Sequence, residues 1–170
     1  MKIVKLVFLL IFLGLIPLLS FAQNEIGRER ISLQGLQEFG FTANIEGSRE
    51  VADHESLTPS IIRDQAVEQL VQNDLRYVSD EEVESSADLP FLYMHINTLR
   101  LDNGLIPFSI ELRLYQPVKL TLNRDLQTSA STWETGMVGI VSPDRISLIN
   151  QAAEGVIAEF IEDYNRVNRQ

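Results

Sequence analysis

The chain contains no cysteine among its 170 residues. That excludes disulfides, thiol chemistry, cysteine-ligated metals and a lipid-modified N-terminal cysteine, so the fold must rest on apolar packing alone. Histidine is nearly as scarce. His54 and His95 are the two present, far apart and without metal-ligand spacing such as His-Glu-x-x-His. Basic residues are outnumbered as well, 14 against 24 acidic, for a formal charge of -10. Such a surface repels phosphate backbones, and no basic stripe with interleaved aromatics counters it, so nucleic acid is not an expected partner.

Long hydrophobic runs are missing too, except at the start. Lys2 and Lys5 precede an apolar run from Leu6 to Leu19, followed by Ser20-Phe21-Ala22 and then Gln23. This is the three-part layout of a secretory signal peptide, residues 1–22, with cleavage expected between Ala22 and Gln23. The run holds 14 residues, including Gly14 and Pro17, and a helix needs roughly 20 to cross the hydrocarbon core. No stable membrane span is expected after cleavage. The expected location is therefore outside the cytoplasm, periplasmic or extracellular. Removal of residues 1–22 from 170 leaves 148, enough for a single domain over 23–170, and takes Lys2 and Lys5 with it, so 12 basic residues face 24 acidic ones and the charge becomes -12.

Periodicity supplies the secondary structure. Gln23 to Arg30 is polar and reads as frayed, and 23–37 as partly disordered. Phe39, Phe41, Ala43 and Ile45 alternate with Gly40, Thr42 and Asn44, the pattern of a half-buried strand. Gly47 to Glu55 reads as a polar loop. Thr58 as cap, Pro59 at the first helical position and Leu57 stapling onto Ile62 predict a helix whose stripe is Ile62, Ala66 and Leu70, flanked by Val67 and Val71. Asn73 is the expected left-handed stop, with a short strand at Leu75 to Val78. Ser79 to Asp88, rich in carboxylates, lacks the alternating acceptors and turn glycine of a calcium loop and reads as a solvated acidic loop.

From Phe91 to Val141 the pattern is that of a three-stranded antiparallel meander. Phe108, Ile110, Leu112, Leu114, Val118, Leu120 and Leu122 fall on even positions and polar residues on odd ones, so one face is buried and the other wet. Pro117 implies an edge or a bulge. If Asp102-Asn103-Gly104 is a three-residue loop with Gly104 left-handed, Leu92, Met94 and Ile96 meet Leu114, Leu112 and Ile110. A two-residue turn would split the apolar face, so matching favours the longer loop. The outward pairs are then His95 with Glu111 and Tyr93 with Arg113. The third strand, Thr132 to Val141, contains Gly136 and Gly139, which suggest a bulge, a bend or a close backbone approach. A second helix from Ile146 carries Ile149, Ala153, Val156, Phe160, Tyr164 and Val167 on one stripe. Together these elements predict an α+β fold: a two-layer sandwich with a mostly antiparallel sheet of about five strands and two helices packed on one face.

Candidate chemistry is thin. Asp53-His54-Glu55 resembles an acid-base cluster, but adjacent loop residues point apart. No Gly-x-Ser-x-Gly elbow occurs, neither histidine has a recognisable serine partner, and no phosphate loop is present. Trp133 reads as core or rim packing rather than a platform. No cofactor, no metal and no catalytic set is expected. What remains is the outward sheet face, where Tyr93, His95, Glu111, Arg113, Tyr115 and Lys119 mix aromatic and charged groups.

Four stretches carry a resemblance: Leu89 to Ile96, Glu111 to Val118, Thr132 to Gly139, and Phe160 to Asn165. They look like segments of a widespread group of uncharacterised exported bacterial proteins, over about Leu57 to Asn168. The resemblance implies compartment and fold, and no activity. The element order is also similar to small α/β modules of periplasmic and outer-membrane assembly proteins, which is a likeness of fold alone. The leading expectation is an exported, non-enzymatic envelope domain that binds another protein. The alternatives are a small-molecule or lipid carrier with a pocket between sheet and helices, and, third, an unrecognised hydrolase. Oligomeric state is left open by the sequence.

Overall fold

Alternating apolar residues form strand β1 (Glu38–Glu46), which buries Phe39 and Phe41. It belongs to a computed structural model that describes residue 27 and residues 29–47, 51, 54–86 and 88–169. The expected signal segment, its cleavage site at Ala22 and Gln23, and Asp53 lie outside those residues. Helix α1 (Pro59–Gln72) begins as its sequence dictates: the Thr58 side chain accepts the Ile61 N–H at 3.2 Å, and Pro59 needs no acceptor at the first helical position. Leu57, Ile62, Ala66 and Leu70 are buried, whereas Val71 is 58% exposed, so the apolar stripe is narrower than its spacing predicts. The left-handed exit is Asp74 (φ 56°), one residue later than the expected Asn73. The Asn73 amide instead donates to the Gln69 carbonyl at 2.9 Å.

Strand β2 is only Arg76–Tyr77. The expected acidic loop is in fact a short helix, α2 (Asp80–Ser85). Ser79 accepts from Glu82 N while the Glu82 carboxylate accepts the Ser79 N–H at 3.0 Å. This reciprocal cap, together with three acidic residues in the first turn, compensates for the lack of an apolar stripe. Strands β3 (Phe91–Thr98), β4 (Ile106–Lys119) and β5 (Gln127–Val141) follow. A 3-10 turn at Pro143–Arg145 then leads into helix α3 (Ser147–Asn168).

The strand order is β2-β1-β3-β4-β5. The fold is α+β, but the sheet is mixed: β1 runs parallel to both β2 and β3, and only β3, β4 and β5 form the antiparallel meander. Alternation of side chains is the same for either strand direction, so the parallel pairings were invisible to it. Parallel neighbours need a crossover, and α1 supplies the one between β1 and β2. The predicted loop register holds. Leu101 N–H donates to Leu105 O at 2.9 Å, Gly104 has φ 83°, and Leu92, Met94 and Ile96 pair with Leu114, Leu112 and Ile110.

Leu33, Phe39, Met94, Leu112, Trp133 and Phe160, together with the stripes of α1 and α3, form one buried cluster. Phe160 meets Phe39 and Trp133 edge-on, with ring centroids 5.4 and 5.1 Å apart. Leu120 and Leu122, expected inside, are exposed, the latter fully. β4 stops at Lys119, and β3 begins opposite Tyr115, so the β4–β5 hairpin projects beyond the rest of the sheet with nothing to bury those leucines. Gly139 lies under Phe108, whose ring atoms would stand 2.4 Å from an added Cβ, and a Cβ on Gly136 would meet the Ile110 carbonyl oxygen at 2.5 Å. Close approach therefore accounts for both glycines. The bulge falls earlier, where Leu114 pairs with Trp133 but Tyr115 with Ser131, leaving Thr132 as the extra residue near Pro117.

The N-terminal stretch is held more firmly than its polarity predicts. Leu33 and Leu36 join the core, Tyr164 donates to the Leu36 carbonyl at 2.8 Å, and Asn168 donates to that of Leu33 at 2.9 Å. Arg30 Nε lies 2.6 Å from Asp163 Oδ1, and the other oxygen of that buried carboxylate accepts from Trp133 Nε1 at 3.2 Å.

Candidate functional site

Side chains of β3 and β4 that do not enter the core stand on the opposite face, where the register sets Tyr93 beside Arg113 and His95 beside Glu111. β1 adds Thr42 next to Tyr93 and Asn44 next to His95, and β5 adds Glu134 next to Arg113. An aromatic row runs along this surface. Phe91 stacks on Tyr115 with centroids 5.2 Å apart, Tyr115 meets Tyr93 edge-on at 6.5 Å, and Tyr93 lies 6.1 Å from the His95 ring. Phe91 was missed in the sequence reading, although its odd number in β3 places it on the same side as Tyr93 and His95.

Arg113 is the electrostatic centre of the face. Its Nη2 lies 2.6 Å from Glu111 Oε2 and its Nε 3.4 Å from Glu134 Oε2. A hydrogen bond with Tyr115 first, then the charge of Glu111, holds its pKa above the ordinary guanidinium value. His95 does not engage Glu111, because Arg113 has captured that carboxylate. Its Nε2 is buried without a hydrogen-bond partner and lies 3.6 Å from Glu46 Oε2. Lys119 stands apart, exposed at the end of β4 opposite Gln127, beyond the start of β3. The structure thus brings together Tyr93, His95, Glu111, Arg113 and Tyr115 from the expected set.

Part of this face is covered. Helix α2 crosses it at the β1 end, and Val83 occupies the space above Gly40, where an added Cβ would come within 2.2 Å of Val83 Cγ2. A cleft of about 580 Å³ opens between α2 and the hairpin, floored by Phe91, Val83, Leu89 and Pro117. The space between the sheet and the long helices, where a carrier would place its pocket, is filled by Phe39, Met94, Leu112 and Phe160, all at most 1% exposed.

His54 does have a serine neighbour, with Ser56 Oγ 2.7 Å from its Nδ1, and the Ser56 N–H points at the same nitrogen at 3.3 Å. Two residues apart, they close a local turn. Among the described residues no three His, Cys, Asp or Glu side chains are grouped to hold a metal ion. Trp133 is a core residue. No helix among the described residues is long and apolar enough to cross a membrane.

No protein-family model and no curated protein matches the chain. The solved structures with some similarity to it include the following two. A variant PelC dodecamer from Paraburkholderia phytofirmans is 14% identical, over 76% of this chain and 90% of that one, with a TM-score of 0.42. A minor lipoprotein from Acinetobacter baumannii is 10% identical, over 78% of this chain and 90% of that one, with a TM-score of 0.29. At those levels neither likeness assigns a family, a partner or an activity to this chain.

Proposed function

We propose that this chain is an exported, non-enzymatic protein of the bacterial envelope, periplasmic or extracellular, that binds another protein through the sheet face turned away from its two long helices. The observation that carries this reading is the row Phe91, Tyr115, Tyr93 and His95 beside the Arg113 cluster, half-exposed on a rigid sheet. Aromatic rings and arginine are the side chains that most often dominate protein interfaces, because the rings bury large area at low entropic cost and the guanidinium adds directed hydrogen bonds. The paired strands hold them in place without a folding step on binding.

The test is chemical cross-linking in the native envelope followed by affinity capture, comparing the wild type with a Tyr93→Ala/Arg113→Ala variant that retains its circular dichroism. The wild type should recover a partner that the variant loses. Recovery of the same proteins by both would sink the reading. Export is checked separately: the mass of the protein recovered outside the cytoplasm should correspond to a chain beginning at Gln23.

A further inference from the structure

Among the described residues strand β5 is the last in the sheet and leaves one edge unpaired. The register shows which backbone groups are free. Leu99 N–H donates to Pro107 O at 3.1 Å, so the odd residues of β4 bond to β3. By the alternation of an antiparallel ladder the even ones bond to β5, where their partners are Trp133, Thr135, Met137, Gly139 and Val141. The N–H and C=O groups of Glu134, Gly136, Val138 and Ile140 therefore point away from the sheet. At one end the chain's own N-terminal stretch occupies the edge: Ser32 Oγ donates to Thr132 O at 2.9 Å, and Glu29 shares a cleft with Glu134 and Gly136. Residues 137–141 have no such cover among the described residues. Val138 is 81% exposed and Ile140 56%.

Sheet edges are normally blunted by lysine, proline, a bulge or a short strand. This one has 15 residues, neither lysine nor proline, and its bulge lies before the free stretch. Its only charge, Glu134, is matched by Arg113 at 3.4 Å within the same chain. In a protein of formal charge -10 it is a neutral strip. A cationic partner finds no unmatched carboxylate there and an acidic partner no base. The occupant that fits is an uncharged, apolar, β-forming segment, and the sequence Gly136 to Val141 is itself one.

We propose that β5 pairs antiparallel with β5 of a second copy across a two-fold axis at Gly139, joining two sheets of five strands into one. Like faces must meet, which fixes the parity of the register, and hydrophobic matching fixes the rest. With the axis at Gly139, Val138 lies opposite Ile140 of the second copy, and Met137 opposite Val141. Moving the axis to Met137 would set Ile140 against Glu134, and moving it to Val138 would set Ile140 against Gly136. Both waste the apolar residues. The outward-pointing groups of Val138 and Ile140 then exchange hydrogen bonds, and the pair of glycines at the axis lets the backbones approach. The interface is isologous and closes, as a two-fold contact must. The two aromatic faces come to lie edge to edge, but the pairing uses none of their residues.

Sedimentation velocity of the wild-type protein over a concentration series should show a monomer–dimer equilibrium. Val138→Glu should weaken the dimer by at least about tenfold, because it replaces both symmetry-related apolar contacts between Val138 and Ile140 with a carboxylate set against an apolar side chain. Ile140→Lys should do the same. A monomer at every concentration up to about 1 mM, or a dimer indifferent to both substitutions, would overturn the proposal. The absence of native cysteine permits a test of register. On mild oxidation Val138→Cys/Ile140→Cys should cross-link into a dimer faster than Val138→Cys alone. Equal rates would overturn the Gly139 axis. Loss of the dimer would leave envelope capture through Tyr93 and Arg113 to stand or fall by itself.

Discussion

The two faces of the sheet are made from alternate residues of the same strands, yet they are held by different physics. Toward the long helices Met94, Leu112 and Trp133 are almost wholly buried and locked against residues such as Phe160 of α3, each side chain fixing the rotamers of its neighbours. One peptide unit away, Tyr93, His95 and Arg113 are half-exposed and held by stacking and ion pairs that water can replace. The packed face determines whether the chain folds. The other contributes little to folding and is correspondingly free to be shaped by a partner.

Substitutions on the two faces should differ sharply in cost. The largest effect is expected from Phe160→Ala, which empties the contact between helix α3 and the sheet and should cost about 3–5 kcal/mol in urea titrations. A cost under about 1 kcal/mol would mean that the two faces do not differ as described. Next is Asp163→Ala. It strips Arg30 of its counter-charge and leaves the Trp133 indole N–H unpartnered in the core, for about 1–3 kcal/mol, and it should raise the protease sensitivity of the segment around Leu33. On the other face Ser79→Ala removes the cap of α2 and should cost about 1 kcal/mol.

That cap is also pH-dependent. Hydrogen bonds from the backbone and then the side chain of Ser79 hold the Glu82 carboxyl below the usual carboxylate range. A folded-state pKa that is depressed stabilises above the unfolded-state value, and the contribution is lost as pH falls through the folded one. The difference in urea midpoint between wild type and Glu82→Gln should therefore be largest at neutral pH and shrink in acid. A difference constant across pH would refute that assignment. Arg113→Ala comes last. Being a half-exposed pair partner, it should change stability by less than about 1 kcal/mol while abolishing the partner capture proposed for this face. A large stability loss would show that the outer face is structural after all.

Some of this was legible in the chain itself. Thr58-Pro59 set the start of α1, Asp102-Asn103-Gly104 set the register of β3 on β4, and parity then placed Tyr93 beside Arg113. Each depends on groups a few residues apart, so sequence spacing specifies it. The pattern of α2 was also present, since Ser79 and Glu82 stand three apart, but a six-residue helix without an apolar stripe gives no periodicity to detect. The parallel placement of β1, the exposure of Leu120 and Leu122, the isolation of Lys119 and the turning of His95 toward Glu46 arise from contacts between elements distant in the chain. Alternation along a strand carries no direction, and it does not reveal where the neighbouring strand ends. Whether an apolar residue is covered, or which carboxylate an arginine takes from a histidine, depends on elements that meet across long stretches of sequence.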